Sequence, residues 1–294
     1  MKQSEFIEHE EKKQHGDLMF PFVTYGTHIP KRITSFPIHW HEEIEMVIVY
    51  KGMADYYLNG EKVLLNEGDI LFISPSTLHS FNQNADNIFL AEAILFNLNL
   101  INNSVDICNN KYFRPLLNCE CTPYFVINNK HNCYDELLEI VNNILITYKE
   151  KKEYFELEIK SLLLEIFYIL FSNNYFTINN NMPNNASNKI IKSVLNYIQE
   201  NYNKPLTLND LSNRFKISVY HLSHMFKDTT RMSCIDYIID FRLLKASQLL
   251  LTTDDAILNI ALEVGFNNIS YFNRAFKKKF NTTPSAYRKG SGNH

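Results

Sequence analysis

The chain has 294 residues, is 45% hydrophobic and 21% charged, and carries a formal net charge of −3. That length holds two domains, each large enough for its own core. The charge separates at residue 187: positions 187–294 hold 15 Lys/Arg against 8 Asp/Glu, a balance of +7, and the rest is acidic by −10, so the C-terminal half suits a polyanionic partner and the acidic half does not.

In chain order, Met1 to Asp17 is polar and lacks the apolar core of a signal peptide. No run reaches the ~18 uninterrupted apolar residues of a membrane span. The nearest, 162–171, contains Glu165. The five cysteines are odd in number, and Cys119-x-Cys121 has no second pair to complete a zinc site. These features read as a cytoplasmic protein with reduced thiols, no membrane partner and no cofactor.

Residues 18–100 read as strands. Glu43–Tyr50, Ala54–Leu58, Lys62–Leu65, Ile70–Ile73 and Phe89–Phe96 are β-rich runs separated by turn signals at Gly52, Asn59-Gly60, Asn66-Glu67-Gly68 and Pro75. Asn59-Gly60 predicts a hairpin, because such a two-residue turn needs positive φ. Many short strands at this spacing predict a small barrel or jelly roll.

Within that stretch, His39-x-His41-x-x-x-Glu45 precedes Gly52, and Gly68 precedes Pro75 and His79. The pattern resembles the two cupin motifs, whose His and Glu side chains point into a barrel and often hold a metal. Strand alternation predicts His39, His41 and Glu45 on one strand face. Three uses of this set stay open: hydrogen bonds to the hydroxyls of a small ligand, with Trp40, Tyr56 or Phe81 stacking on its apolar face; a divalent metal; or satisfied structural polar groups.

Residues 133–150 and 154–172 switch to helical periodicity, with one stripe through Leu137, Ile140, Val141, Ile144 and Leu145 and another through Leu157, Leu164, Phe167, Tyr168 and Phe171. Positions 173–186 are Asn-rich and read as a linker. Beyond it, Lys189–Tyr202 predicts a helix with Ile190, Val194, Leu195 and Ile198 inward.

Residues Leu208–Tyr237 superimpose on Leu258–Tyr287 at an offset of 50. Each copy reads as a short helix, a turn and a second helix. Thr207-x-x-Asp210 predicts a capping box, Ser218 and Asn268 predict caps for the two second helices, and Asp254 or Asp255 predicts a cap for the helix carrying Ile257. Leu222, Met225 and Phe226, like Phe272 and Phe276, fall on buried faces. That leaves Tyr220, Ser223, His224 and Lys227 in the first copy, and Asn268, Ser270, Asn273, Arg274 and Lys277 in the second, to face DNA. Arg274 is the candidate base reader through bidentate bonds to guanine. Lys227, Lys277, Lys278 and Lys279 are candidates for phosphate contacts. Ser233–Leu251 predicts one long helix joining the two units.

The run Ile260-Ala261-Leu262-Glu263-Val264-Gly265-Phe266, then Ser270-Tyr271-Phe272-Asn273-Arg274-Ala275-Phe276-Lys277-Lys278, then Thr283-Pro284-Ser285-Ala286-Tyr287-Arg288, resembles the signature of the AraC/XylS transcription regulators. Ser218, Leu222, Phe226-Lys227, Tyr237, Arg242 through Ala246 and Leu249-Leu250 fit its upstream half. In place of the glycine that the family sets after each recognition helix, this chain has Arg231 and Asn281, at positions where the backbone turns left-handed.

The resemblance implies an N-terminal cupin-like sensor that binds a small organic effector, commonly a sugar, at His39, His41, Glu45 and His79. It also implies helices that pair two subunits, and tandem helix-turn-helix units that read promoter DNA.

The expected fold is a two-domain α+β chain. A cupin-like β-barrel or jelly roll (1–132) is followed by a helical dimerisation segment (133–172), the linker (173–186) and an all-α DNA-binding domain (187–294). The expected function is an effector-controlled transcription activator, a homodimer with RNA polymerase as a further partner, and not an enzyme. The rivals are a metal-dependent cupin enzyme with a DNA-binding appendage and an effector-independent regulator.

Overall fold

The computed structural model describes residues 16–17, 19–29, 35–83, 88–102, 106–118, 121–177 and 186–289. Most of the expected linker, and Cys119, lie outside these residues. The chain divides into two compact units, the second beginning at Asn185.

The first unit contains two antiparallel sheets. One has the order β1 (Phe22–Ile29), β8 (Phe89–Phe96), β3 (Ile44–Lys51), β6 (Ile70–Ile73), β9 (Tyr124–Ile127). The other runs β2 (Ser35–His39), β7 (His79–Gln83), β4 (Ala54–Leu58), β5 (Glu61–Leu65). The β4–β5 hairpin closes at Leu58↔Glu61 with positive φ at both Asn59 and Gly60, as the Asn-Gly signal requires.

Alternation along β3 splits its side chains between two cores. Val47 and Val49 join Tyr56, Leu58, Leu71 and Ile73 in one cluster that includes residues of both sheets. Met46 and Ile48 join a second cluster with the helices. The five-stranded sheet is therefore covered on both faces, so Met46–Val49 of β3 and all of β6 are continuous apolar runs rather than alternating ones.

Those helices are α2 (Tyr134–Glu150) and α3 (Phe155–Ser172), which follow the short α1 (Arg114–Leu117). α2 buries Leu137, Ile140, Val141 and Ile144 as expected. α3 departs from expectation: it buries Ile159, Leu163, Ile166, Phe167, Ile169 and Leu170. Leu157, Leu164 and Tyr168 are exposed, at 67%, 46% and 74%. α3 is apolar on more than one side, and the core takes the stripe through 159, 163, 166 and 170.

The second unit is all-helical. α4 (Ala186–Asn201) buries Ile191, Val194, Leu195 and Ile198; Ile190, expected inward, is only half-buried. α5 (Leu208–Phe215) starts at the Thr207–Asp210 capping box, and α6 (Val219–Thr230) follows it. α7 (Cys234–Thr252) is the long joining helix, about 28 Å at ~1.5 Å per residue. α8 (Ile257–Glu263), α9 (Ile269–Phe280) and α10 (Pro284–Lys289) complete the second copy.

The cap expected from Asp254 or Asp255 is not there. The N-cap position of α8 falls on Ala256, and no side chain caps the helix. The cap position lies one residue past Asp255, and the Asp255 backbone carbonyl accepts from Arg288 Nη2 at 2.6 Å.

Candidate DNA-reading and effector-binding sites

Each second helix is set by the cap the sequence offers. Ser218 Oγ accepts from the His221 amide at 3.2 Å and Asn268 Oδ1 from the Tyr271 amide at 2.9 Å. Each helix ends in a left-handed residue, Arg231 at φ 59° and Asn281 at φ 54°, where glycine would be unstrained.

In α6, Leu222, Met225 and Phe226 are buried, while Tyr220 is 80% exposed, His224 and Lys227 are exposed, and Ser223 is half-buried. In α9, Phe272 and Phe276 are fully buried, and Asn268, Ser270, Asn273, Arg274 and Lys277 are all exposed.

Two side chains depart from the expected arrangement. Lys279 does not join Lys277 and Lys278 on the solvent face: it is 14% exposed and lies 2.7 Å from Asp240 of α7, so it ties α9 to the joining helix. His224 Nδ1 lies 2.7 Å from the Asp228 carboxylate one turn on. Asp228 was not among the expected residues, although its i,i+4 spacing from His224 is plain in the sequence.

The second unit is also locked from behind. Arg242 of α7 donates from Nε to the Tyr202 carbonyl at 2.7 Å and from Nη2 to the Lys204 carbonyl at 2.8 Å, both just past the end of α4. Gly265, at φ +92°, lets the turn before α9 pass against this bridge. A Cβ there would lie 2.9 Å from the Tyr202 oxygen and 3.0 Å from the Arg242 guanidinium.

In the first unit the four expected side chains come together, but not by alternation along one strand. His39 ends β2 in the four-stranded sheet and is the cross-strand partner of His79 on β7. The chain then crosses to the five-stranded sheet, with His41 in the connection and Glu45 near the start of β3. Glu45 Oε2 lies 3.1 Å from His41 Nε2 and 3.0 Å from His79 Nε2. The His39 and His79 ring centroids are 4.0 Å apart. His41, Glu45 and His79 are buried.

Burial pushes the Glu45 carboxyl up, but the charge of His79 and hydrogen bonds from His41 and His79 outweigh it and hold the group well below the usual range. Burial, with Glu45 nearby, pushes Tyr56 well above its usual value. Of the aromatics expected beside the set, Tyr56 and Phe81 stack on each other at 5.3 Å. Trp40 is 9% exposed.

Two family models cover most of the chain. One described as an AraC-like ligand binding domain matches residues 25–167, and one described as a helix-turn-helix domain matches 211–290. The chain belongs to the AraC family of transcription regulators. An uncharacterized HTH-type transcriptional regulator of Bacillus subtilis, YdeC, is 27% identical over 282 residues, 95% of either chain. The HTH-type transcriptional activator RhaS of Mannheimia succiniciproducens is 28% identical, covering 86% of this chain and 89% of its own. The melibiose operon regulatory protein of Escherichia coli is 25% identical, covering 85% and 83%.

This AraC-family regulator thus combines a DNA-binding helix-turn-helix half with a ligand-binding half, and its relatives are regulators rather than enzymes. Its DNA-binding half is the basic one, matched to a polyanion. No helix of the described residues is long and apolar enough to cross a membrane.

Proposed function

We propose that this AraC-family protein is a cytoplasmic activator that binds promoter DNA as a homodimer, engages RNA polymerase, and responds to a small-molecule effector held beside His39, His41, Glu45 and His79. The observation that carries the reading is the pairing of two exposed polar helix faces in the basic half with a buried His/Glu set in the other. Arg274 reads a base, with Tyr220, Ser223, His224, Asn268, Ser270 and Asn273 lining the grooves and Lys227 and Lys277 on phosphates. Leu157, Leu164 and Tyr168 give α3 an apolar outer stripe suited to a second copy of the chain. Sugars are the first effector class to test, because one relative is named for the melibiose operon. Activation is supported by the name of another, RhaS.

The test is the affinity of the full chain for its own upstream DNA at fixed salt, with and without a panel of sugars. A sugar that shifts affinity or footprint in the wild type and not in Glu45→Ala supports the reading. Specific binding that no sugar alters removes sugars as the effector. An effector can act only by binding one arrangement of the protein more tightly than another.

A further inference from the structure

The chain leaving α3 is built into the β-domain before it departs for the second unit. α3 ends at Ser172, and the backbone reverses at Asn174, left-handed at φ 59°. The Tyr175 amide donates back to the Leu170 carbonyl at 3.0 Å and the Asn174 amide to the Phe171 carbonyl at 3.1 Å. This paired bonding closes the helix and turns the following residues toward the sheet. Phe176 is buried, with its ring 5.3 Å from both Phe72 of β6 and Phe125 of β9 and 4.6 Å from Phe171. The Thr177 amide then donates to Thr122 Oγ1 at 3.2 Å, and the two threonine hydroxyls lie 2.9 Å apart. Residues 173–177, expected to open the linker, instead form a clasp on the β6–β9 edge.

The same edge is bonded to the loop behind the His/Glu set. Residues 74–78 join β6 to β7, which begins at His79. The Ser74 amide donates to the Pro123 carbonyl at 2.9 Å and Ser74 Oγ to the Thr122 carbonyl at 2.8 Å. Thr77 Oγ1 donates to the Pro123 carbonyl at 3.0 Å, while the Thr77 carbonyl lies 2.8 Å from His79 Nδ1. The Ser76 amide donates to the His41 carbonyl at 2.8 Å. Thr122 and Pro123 are thus bonded on one side to the loop that leads into His79 and on the other to Thr177. A shift of that loop is passed to Thr122 unless the bonds to Thr122 and Pro123 break first.

We infer that residues 173–177 are a releasable clasp on the start of the linker, linked through Thr122 and Pro123 to the loop before His79, and that an effector beside His39, His41, Glu45 and His79 sets whether it holds. The last clause rests on the proposed effector reading; the clasp and its link to the loop do not. Coupling needs an element with two arrangements that both sites bias. A five-residue segment at the surface supplies one, because it opens at a cost below that of global unfolding. Its release adds those residues to the stretch that separates the β-domain from the second unit, which begins at Asn185.

The test follows hydrogen exchange of the full chain by mass spectrometry of peptides over 173–178, together with affinity for its own upstream DNA at fixed salt. Thr122→Val removes the oxygen that accepts from Thr177, so exchange over the clasp is expected to quicken about three- to tenfold. DNA affinity is expected to shift at least about threefold. Thr122→Ser keeps the accepting oxygen and should behave as the wild type. Thr77→Val should quicken the same exchange in the wild type and add little in a Thr122→Val background, because both act through one link. Urea unfolding read at Trp40 separates an open clasp from an unfolded β-domain.

Unchanged exchange over 173–178 in a folded Thr122→Val overturns the clasp. Additive effects of Thr77→Val and Thr122→Val overturn its link to the loop, and faster exchange with unaltered DNA affinity overturns its regulatory role. The sugar panel tests the last clause. A sugar that shifts DNA affinity should also change exchange over 173–178, and should lose its effect on DNA in Thr122→Val. A sugar that shifts DNA affinity and leaves that exchange unaltered overturns control of the clasp by the effector and leaves the effector reading standing. A panel in which no sugar acts counts against sugars as effectors, while Thr122→Val still decides the clasp.

Discussion

Gly265→Ala tests how the second recognition helix is held in place. The substitution adds one methyl group at φ +92°, a backbone region that costs an L-residue about 1–2 kcal/mol. The methyl would also lie 3.0 Å from Arg242 Nε and Cζ and 2.9 Å from the Tyr202 oxygen, closer than carbon atoms settle. The arginine is the side of that contact able to move. If it moves, it weakens the 2.7 Å bond to Tyr202 or the 2.8 Å bond to Lys204. A bond from a charged donor is worth about 1.5–3 kcal/mol. The expected destabilisation is therefore about 2.5–5 kcal/mol, a large share of the ~5–15 kcal/mol that holds a typical domain together.

The two halves can be watched separately. Trp40 fluorescence reports the β-domain, because the chain has one tryptophan, while the helical signal in circular dichroism includes the second unit. Urea unfolding of Gly265→Ala is expected to move the helical transition and leave the tryptophan transition in place. In an Arg242→Ala background the share that comes from the displaced arginine should drop out, while the backbone cost of about 1–2 kcal/mol and the contact with the Tyr202 oxygen remain. A loss below about 1 kcal/mol in the wild-type background, or one undiminished without Arg242, refutes the reasoning.

Arg274→Ala is expected to lower affinity for the operator by about 1–3 kcal/mol and barely change affinity for random duplex; an equal loss on both would make Arg274 a phosphate contact. Lys277→Ala should reduce the slope of log affinity against log salt by roughly 1 with little change in sequence preference, as read by fluorescence anisotropy across a salt series. Tyr168→Glu, on an exposed position of α3, should leave folding intact and shift sedimentation from dimer to monomer; an unchanged dimer would place the interface elsewhere. Burial pushes the Cys234 thiol from an ordinary 9.0 up to about 12, so its contribution to stability is present below pH 9.0 and is lost as pH rises through about 12. A Cys234→Ala variant should therefore flatten the alkaline fall of the urea midpoint; an identical pH profile would show that the thiol does not contribute.

The DNA-binding half was nearly all legible because its signals are local. Caps act over three residues, and Ser218, Asn268 and Thr207 each make the bond their position implies. Burial of Leu222, Phe226, Phe272 and Phe276 follows from helical spacing on helices with one apolar side. The same logic does not settle α3, where Leu164 and Tyr168 share a stripe as regular as the buried one, and only packing against the sheet decides which of the two is covered. It misread Lys279 for a related reason: a lysine in a run of three looks solvated until Asp240, thirty-nine residues upstream, is brought to 2.7 Å.

The effector set shows the limit most sharply. The spacing of His39, His41 and Glu45 suggested one strand face, yet the chain changes sheets between them, and what unites the set is the pairing of His39 with His79, forty residues apart. Spacing within a motif carries no information about such register, so the residues could be named from sequence and their orientation could not. Orientation is what bears on function here. The carbonyls of Glu43 and Thr77, which no motif would single out, turn two imidazoles so that their Nε2 atoms converge on Glu45. A set of polar side chains that merely shared a pocket wall would have no need of that alignment.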